Sequence, residues 1–157
     1  MKALAIFVIT ILLFTNYCVA QVNAGTDKDR KALEQTSIAI RSAFTNGDVL
    51  TIILYHHHDV KKALGYTHII NGRDELEKDL KNTFSHVKLK WLENNVESLI
   101  FQDNTAIEMT VYTIEITATD GSKPFTSKGR AMIIYIRSSE SPSGWASIRE
   151  LIQPESK

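Results

Sequence analysis

The hydrophobic period of this chain changes once, near residue 87, and that change constrains the fold more than any other feature. Before it, Leu33, Ser37, Ile40 and Phe44 recur on one helical face, and Leu76, Leu80 and Phe84 follow at four-residue spacing. After it, Val87, Leu89 and Trp91 alternate with Lys88, Lys90 and Leu92, the signature of a half-buried strand. The spacing predicts helices first and strands afterwards. That is an α+β plan, with helices packed on one face of an antiparallel sheet.

In chain order, Thr26 to Asn46 reads as a first helix, capped by Thr26 or Asp27 and stopped at Asn46-Gly47. Asp48 caps a second, VLTIILYHH, which is apolar on nearly all sides and is expected to be buried. Asp59 to Ala63 and Thr67 to Ile70 read as short extended pieces about Gly65. Asn71-Gly72 then opens a third helix, whose Asp74, Glu75 and Glu77 suit the helix dipole. Four long strands follow: Val87 towards Phe101, Ala106 to Ala118, Phe125 to Arg137 and Trp145 to Gln153. Asp120-Gly121 is a hairpin signal between the second and third of them.

The first 20 residues are not expected to join this fold. Lys2, the apolar run Ala3 to Leu13 and Cys18-Val19-Ala20 predict a signal peptide over residues 1–20, with cleavage before Gln21 or, alternatively, after Ala24. The apolar run is short for a membrane span of ~20 residues, and bulky Tyr17 before Cys18 argues against a lipid anchor. The expectation is an exported chain, periplasmic or secreted, with no membrane attachment after cleavage. The only cysteine is then lost, and with it any disulfide, thiol nucleophile or thiolate ligand. Lys plus Arg and Asp plus Glu both total 18, so no charge excess points to nucleic acid.

The ordered set of short motifs carries a family likeness. Gly47-Asp48, Tyr55-His56-His57-His58-Asp59-Val60, Asn71-Gly72-Arg73-Asp74-Glu75-Leu76, Asp120-Gly121, Gly129-Arg130 and Gly144-Trp145 stand in an order that resembles the nuclear transport factor 2-like superfamily. The nearest part is its secreted, SnoaL-like (polyketide cyclase-like) uncharacterised branch. The likeness spans residues 25–154, nearly all of the mature chain. It implies a cone-shaped α+β barrel, with three N-terminal helices on a strongly curved antiparallel sheet, a pocket between them, and a homodimer formed through the outer sheet surface. It does not imply a reaction, because the superfamily includes isomerases, dehydratases, hydrolases and cyclases as well as members that only bind or assemble.

Several residues are candidates for a site. A histidine hydrogen-bonded to a carboxylate makes a general base near neutral pH, and His57 or His68 with Asp59 offers this. Arg149 could bind a carboxylate or enolate oxygen bidentately, or it could pair with Glu108, Glu115 or Glu150 at the sheet surface. On simple alternation it shares a face with Trp145, Ser147 and Leu151. The candidate catalytic set is therefore His57, Asp59 and Arg149. Pocket lining is expected from Tyr55, Tyr66, His68, Trp91, Met109, Tyr112 and Trp145, each of which also suits an ordinary core. Adjacent side chains in the His56-His57-His58-Asp59 run should fan apart rather than converge, so no metal is expected, and no cofactor motif is present. The likeness places a His-Pro-Asp-like sequence here, with His58 at the proline position, which favours a structural turn. Ketosteroid isomerase-like relatives carry a catalytic carboxylate a few residues beyond Asp59, where this chain has Lys61-Lys62-Ala63-Leu64. The leading expectation is an exported small-molecule-binding or assembly domain. The alternative is an acid–base lyase, isomerase or cyclase acting in the same pocket.

Overall fold

The computed structural model describes residues 25–155, so the expected signal peptide at 1–20 and the cleavage point at Ala24 lie outside the described residues. Helix α1 spans Asp27–Asn46, its first turn capped by the Thr26 hydroxyl, which accepts from the Asp29 N–H at 3.1 Å. It ends at Gly47, whose positive φ of 67° lets its N–H reach back to the Ala43 and Phe44 carbonyls. Asp48 caps α2, Val49–Leu54. The remaining elements are β1 (His56–Leu64), β2 (His68–Asn71), α3 (Arg73–His86), β3 (Val87–Gln102), β4 (Thr105–Ala118), β5 (Phe125–Arg137) and β6 (Trp145–Pro154).

Two local expectations are corrected. Helix α2 stops at Leu54, because His56 is drawn into β1 by pairing with Ser147, whose N–H bonds the Tyr55 carbonyl at 2.9 Å. Nor is α2 buried all round. Ile52 is fully enclosed, while Leu50 is 71% exposed and Leu54 49%.

The six described strands form one sheet in the order β2-β1-β6-β5-β4-β3. All neighbours pair antiparallel except β1 and β6, which run parallel. The expected barrel is not closed: β2 and β3 are free edges, so the molecule is an open, curled sheet carrying three helices. Closure would need β2 to pair with β3. Helix α3 connects those two strands and packs on β1, β2 and β3, occupying that gap. Curling comes from register shifts at Trp91/Glu93, Val96/Ser98, Ile134/Tyr135 and His56/Lys61, since an extra residue in one strand bends and twists the pair.

The apolar interior has two centres. Ala43, Ile52, Val60, Ile70, Leu76 and Leu80 join the three helices to β1 and β2. Leu33, Phe101, Ala106, Tyr135 and Trp145 pack under the first half of α1. Between these centres the sheet and α1 draw apart. Among the described residues, no helix is long and apolar enough to cross a membrane.

Candidate functional site

The site follows from strand register. One inward row runs straight across the sheet: Ile70 (β2), Lys62 (β1), Glu150 (β6), Ile133 (β5), Glu108 (β4) and Leu99 (β3). The neighbouring inward row is His56, Ser147, Tyr135, Ala106 and Phe101. Two adjacent rows therefore carry Lys62, Glu150, Glu108, His56, Ser147 and Tyr135, all buried. Helix α1 lies over them and contributes Ser37, Ile40, Arg41 and Phe44 to the rim of a cavity of about 330 Å³. That volume lies within the range of about 300–1,000 Å³ common for small-molecule sites.

Glu150 is buried and fully satisfied. Lys62 Nζ stands 2.7 Å from its Oε2, His56 Nε2 stands 2.9 Å from its Oε1, and the Ser147 hydroxyl donates to Oε1 at 2.6 Å. His56 Nδ1 donates in turn to the Ile52 carbonyl at 2.7 Å, tying the network to α2. Burial pushes the Glu150 carboxyl up, but the Lys62 and His56 charges and hydrogen bonds outweigh it and hold the group well below the usual carboxylate range. It remains an anion at all ordinary pH values.

Glu108 has the opposite environment. It is 3% exposed, and its Oε1 has no hydrogen-bond partner among the described residues. Burial raises its pKa, Arg41 opposes that, and the Glu150 charge adds to it. The Tyr135 phenol beside it is pushed well above its ordinary value by burial and by the Glu108 and Glu150 charges, so it stays protonated. Two carboxyls on one row are thus driven apart, one towards its anion and the other towards its acid. Farther along the cavity, the Trp91 indole N–H is buried without a partner among the described residues, its ring edge-on to Tyr112 at 5.9 Å and Phe44 at 6.5 Å. Tyr112 sits close over Gly129, where a Cβ would stand 2.5 Å from the Tyr112 hydroxyl.

Of the residues expected to line a pocket, Trp91 and Tyr112 do so. Trp145 is enclosed beside Leu33 and Phe101, and Tyr55 is half-buried behind Ser147. Met109 pairs with Met132 and, alternating with Glu108 and Thr110, faces outward. Tyr66 is 98% exposed, and His68 pairs with Asp79 at the surface, 3.0 Å apart.

His57, Asp59 and Arg149 meet outside the cavity. The β6 strand carries an extra residue at Ile148, so Ser147 and Glu150 both point inward while Arg149 points out, and simple alternation breaks there. Arg149 Nη1 donates to the Asp59 carbonyl at 3.0 Å and to the Ile148 carbonyl at 2.6 Å. His57, His58 and Asp59 fall in the stretch between His56 and Lys61 where β1 loses register with β6. That irregularity brings adjacent residues together: the two rings are 3.9 Å apart, and one ligand-type atom from each of the three residues lies within 4.8 Å of the others. His57 Nδ1 already accepts from the Asp59 N–H at 3.2 Å, and His58 and Asp59 are exposed.

Sequence reading overlooked Arg41, Lys62, Glu108 and Glu150 as interior groups. One signal was available for Glu108, which shares its strand face with Ala106, Tyr112 and Ile114, a carboxylate on an otherwise core-type face.

Solved structures with this architecture are similar to the chain over most of its length. A conserved protein from Planctomyces limnophilus superposes with a TM-score of 0.72 at 19% identity, covering 81% of this chain and 98% of that one. A ketosteroid isomerase-like protein from Erwinia carotovora atroseptica gives 0.72 at 16%, covering 84% and 100%. A candidate scytalone dehydratase from Novosphingobium aromaticivorans gives 0.72 at 13%, covering 82% and 85%. No protein-family model and no curated protein matches the sequence. At these identities the likeness establishes the fold, the one shared by the nuclear transport factor 2-like superfamily.

Replacing Glu150 by Leu leaves Lys62 and His56 facing each other without their anion and is expected to cost ~3–5 kcal/mol in urea unfolding. The folded pKa of Glu150 is depressed, so its contribution is present above the ordinary glutamate value near ~4.3 and is lost as pH falls below it. The wild type should therefore weaken in acid more steeply than Glu150→Leu. Equal stability of the two at neutral pH would refute the network's role.

Proposed function

With a nuclear transport factor 2-like fold as the premise, we propose that this protein is an exported, homodimeric domain that binds a small organic molecule in the cavity beneath α1. The observation that carries this reading is Glu108, buried in the cavity wall with an oxygen that no described residue satisfies. An unmet buried polar atom costs about 1–3 kcal/mol, and a bound molecule that supplies the missing partner explains why the cost is borne. Much of the lining beside it is aromatic or aliphatic, with Ile40, Phe44, Leu89, Trp91, Ile114 and Ile133, so the ligand body is apolar.

A second reading has one specific observation behind it. A carboxyl with a raised pKa beside a protonated tyrosine is suited to general acid–base work, and two of the similar structures bear the names ketosteroid isomerase-like and scytalone dehydratase. In this reading the protein is a cofactor-independent lyase, isomerase or cyclase, with Glu108 moving the proton. His57, Asp59 and Arg149 stand outside the cavity and take no part in either reading.

Export rests on the apolar run Ala3 to Leu13 followed by Cys18-Val19-Ala20. Dimerisation rests on the outer sheet face, where the paired row Ile69, Ala63, Leu151, Met132, Met109 is apolar from edge strand to centre. Leu151 is 52% exposed and Met132 38%, and Ile107 and Ile100 extend the patch along the next row. Such a face on a self-associating chain is covered by its copy.

In a thermal-shift screen of small aromatic and aliphatic compounds, a true ligand at 100 times its Kd should add about 2.7 kcal/mol of stability. Ala131→Phe, which fills the cavity wall, should abolish that gain. A gain that survives Ala131→Phe would place binding elsewhere. For the dimer, light scattering should give twice the protomer mass for the wild type and a single protomer for Leu151→Lys combined with Met132→Glu. A monomeric wild type would overturn the assignment.

A further inference from the structure

We propose that the cavity takes a carboxylic acid, bound as its anion, with Arg41 supplying the counter-charge and the Glu108 carboxyl donating a hydrogen bond to it. This rests on the cavity being a ligand site, and it names the ligand's chemical class.

Charge bookkeeping around the cavity supports it. Lys62 and Glu150 stand 2.7 Å apart and satisfy each other, with His56 and Ser147 completing the shell. Two groups remain. Arg41, half-buried on α1, makes one side-chain hydrogen bond, to the Ser37 hydroxyl, and no ion pair among the described residues. Glu108 lies across the cavity on β4 with Oε1 unpartnered, and no pairing within 4.0 Å joins it to Arg41. The cavity is thus lined by a guanidinium without an ion pair and a buried carboxyl oxygen without a hydrogen-bond partner among the described residues.

Ligand classes can be sorted against that pair. An amine would meet Arg41 with like charge. A ketone or alcohol could accept from Glu108 but would leave the guanidinium without a counter-ion in a poorly solvated place. A carboxylate serves both groups, since its two oxygens offer about four lone-pair sites and its hydrogen bonds from a guanidinium or a neutral acid are of the strong, charge-assisted type. The remaining walls, Ile40, Phe44, Leu89, Trp91, Ile114 and Ile133, suit an aromatic or alkyl body. The site therefore fits a compact monocarboxylic acid whose acid group lies between Arg41 and Glu108.

The arrangement makes binding pH-dependent. Groups lining the cavity with Glu108 are Arg41 from α1, His56 and Lys62 from β1, Tyr112 from its own strand, Tyr135 from β5 and Glu150 from β6. Burial keeps the Glu108 proton on beyond the ordinary glutamate range, with Arg41 working against this and Glu150 with it. Once Glu108 ionises, it repels the ligand anion instead of donating to it. Affinity should then fall about tenfold per pH unit above that point.

The test is titration calorimetry on the mature chain with 3-phenylpropionate, indole-3-acetate and octanoate, each against its primary amide, at about pH 6 and about pH 8. Circular dichroism melts verify that each variant folds. At least one acid should bind about tenfold or more tighter than its amide, and more weakly at the higher pH. Arg41→Gln should erase the preference for acids. Glu108→Gln keeps an N–H donor, so it should retain the acid and lose the pH dependence. Amides binding as tightly as acids would overturn the carboxylate class while leaving the binding function standing. An acid preference that persists in Arg41→Gln, or an affinity equal at both pH values, would overturn the roles given to Arg41 and Glu108. Binding of neither series would overturn both this inference and the proposed function.

Discussion

The buried carboxylate of Glu150 is the interaction on which the rest of this structure depends. It sits where β1 and β6 run parallel, beside a break in their register, and it binds Lys62 and His56 from one strand and Ser147 from the other. Through His56 and the Ile52 carbonyl the same network reaches α2. A charged group this deep is costly unless its hydrogen bonds and counter-charges are complete, and here they are. The polar cluster thus fastens the β1–β2 hairpin to the main sheet, beside the apolar centre that joins the hairpin to the helices.

A cavity follows from the same rows. Residues spaced two apart on each strand point inward, and the register aligns Lys62, Glu150 and Glu108 across the sheet. Bulges curl the sheet around them, so α1 bridges over the row instead of packing on it, and a volume of about 330 Å³ remains. Glu150 spends its charge on structure. Glu108, two strands away, has no such partners, and burial pushes its carboxyl above the ordinary glutamate range against the pull of Arg41. An unsatisfied carboxyl in a wall otherwise able to close is the kind of local instability that functional sites retain at the expense of stability.

Much of the fold was legible in the sequence. The change from helical to alternating period near Val87, the Gly47 and Gly72 breaks and the Asp120-Gly121 turn located every long element to within a few residues. The cone's open side was not legible, because nothing local reveals that α3 occupies the gap between β2 and β3. The site was read less well for a physical reason. Alternation assigns faces only while a strand is regular, and the extra residue at Ile148 reverses the faces of β6 midway, taking Arg149 out and Glu150 in. The irregular stretch after His56 likewise gathers His57, His58 and Asp59 on the surface, where a regular strand would have separated them. Trp91 and Tyr112 lie on regular stretches, and both line the cavity as expected.

The most direct test of the central claim is a carboxyl-carbon NMR titration of the free protein, with the Glu108 and Glu150 resonances assigned by substitution to Gln. Glu108 should give up its proton above the range of an exposed glutamate while Glu150 stays ionised far into acid, two carboxyls of one row titrating on opposite sides of normal. Glu108 titrating with the exposed glutamates would contradict the account, because the cavity would then hold a solvated anion and the reason for assigning it a ligand would be gone.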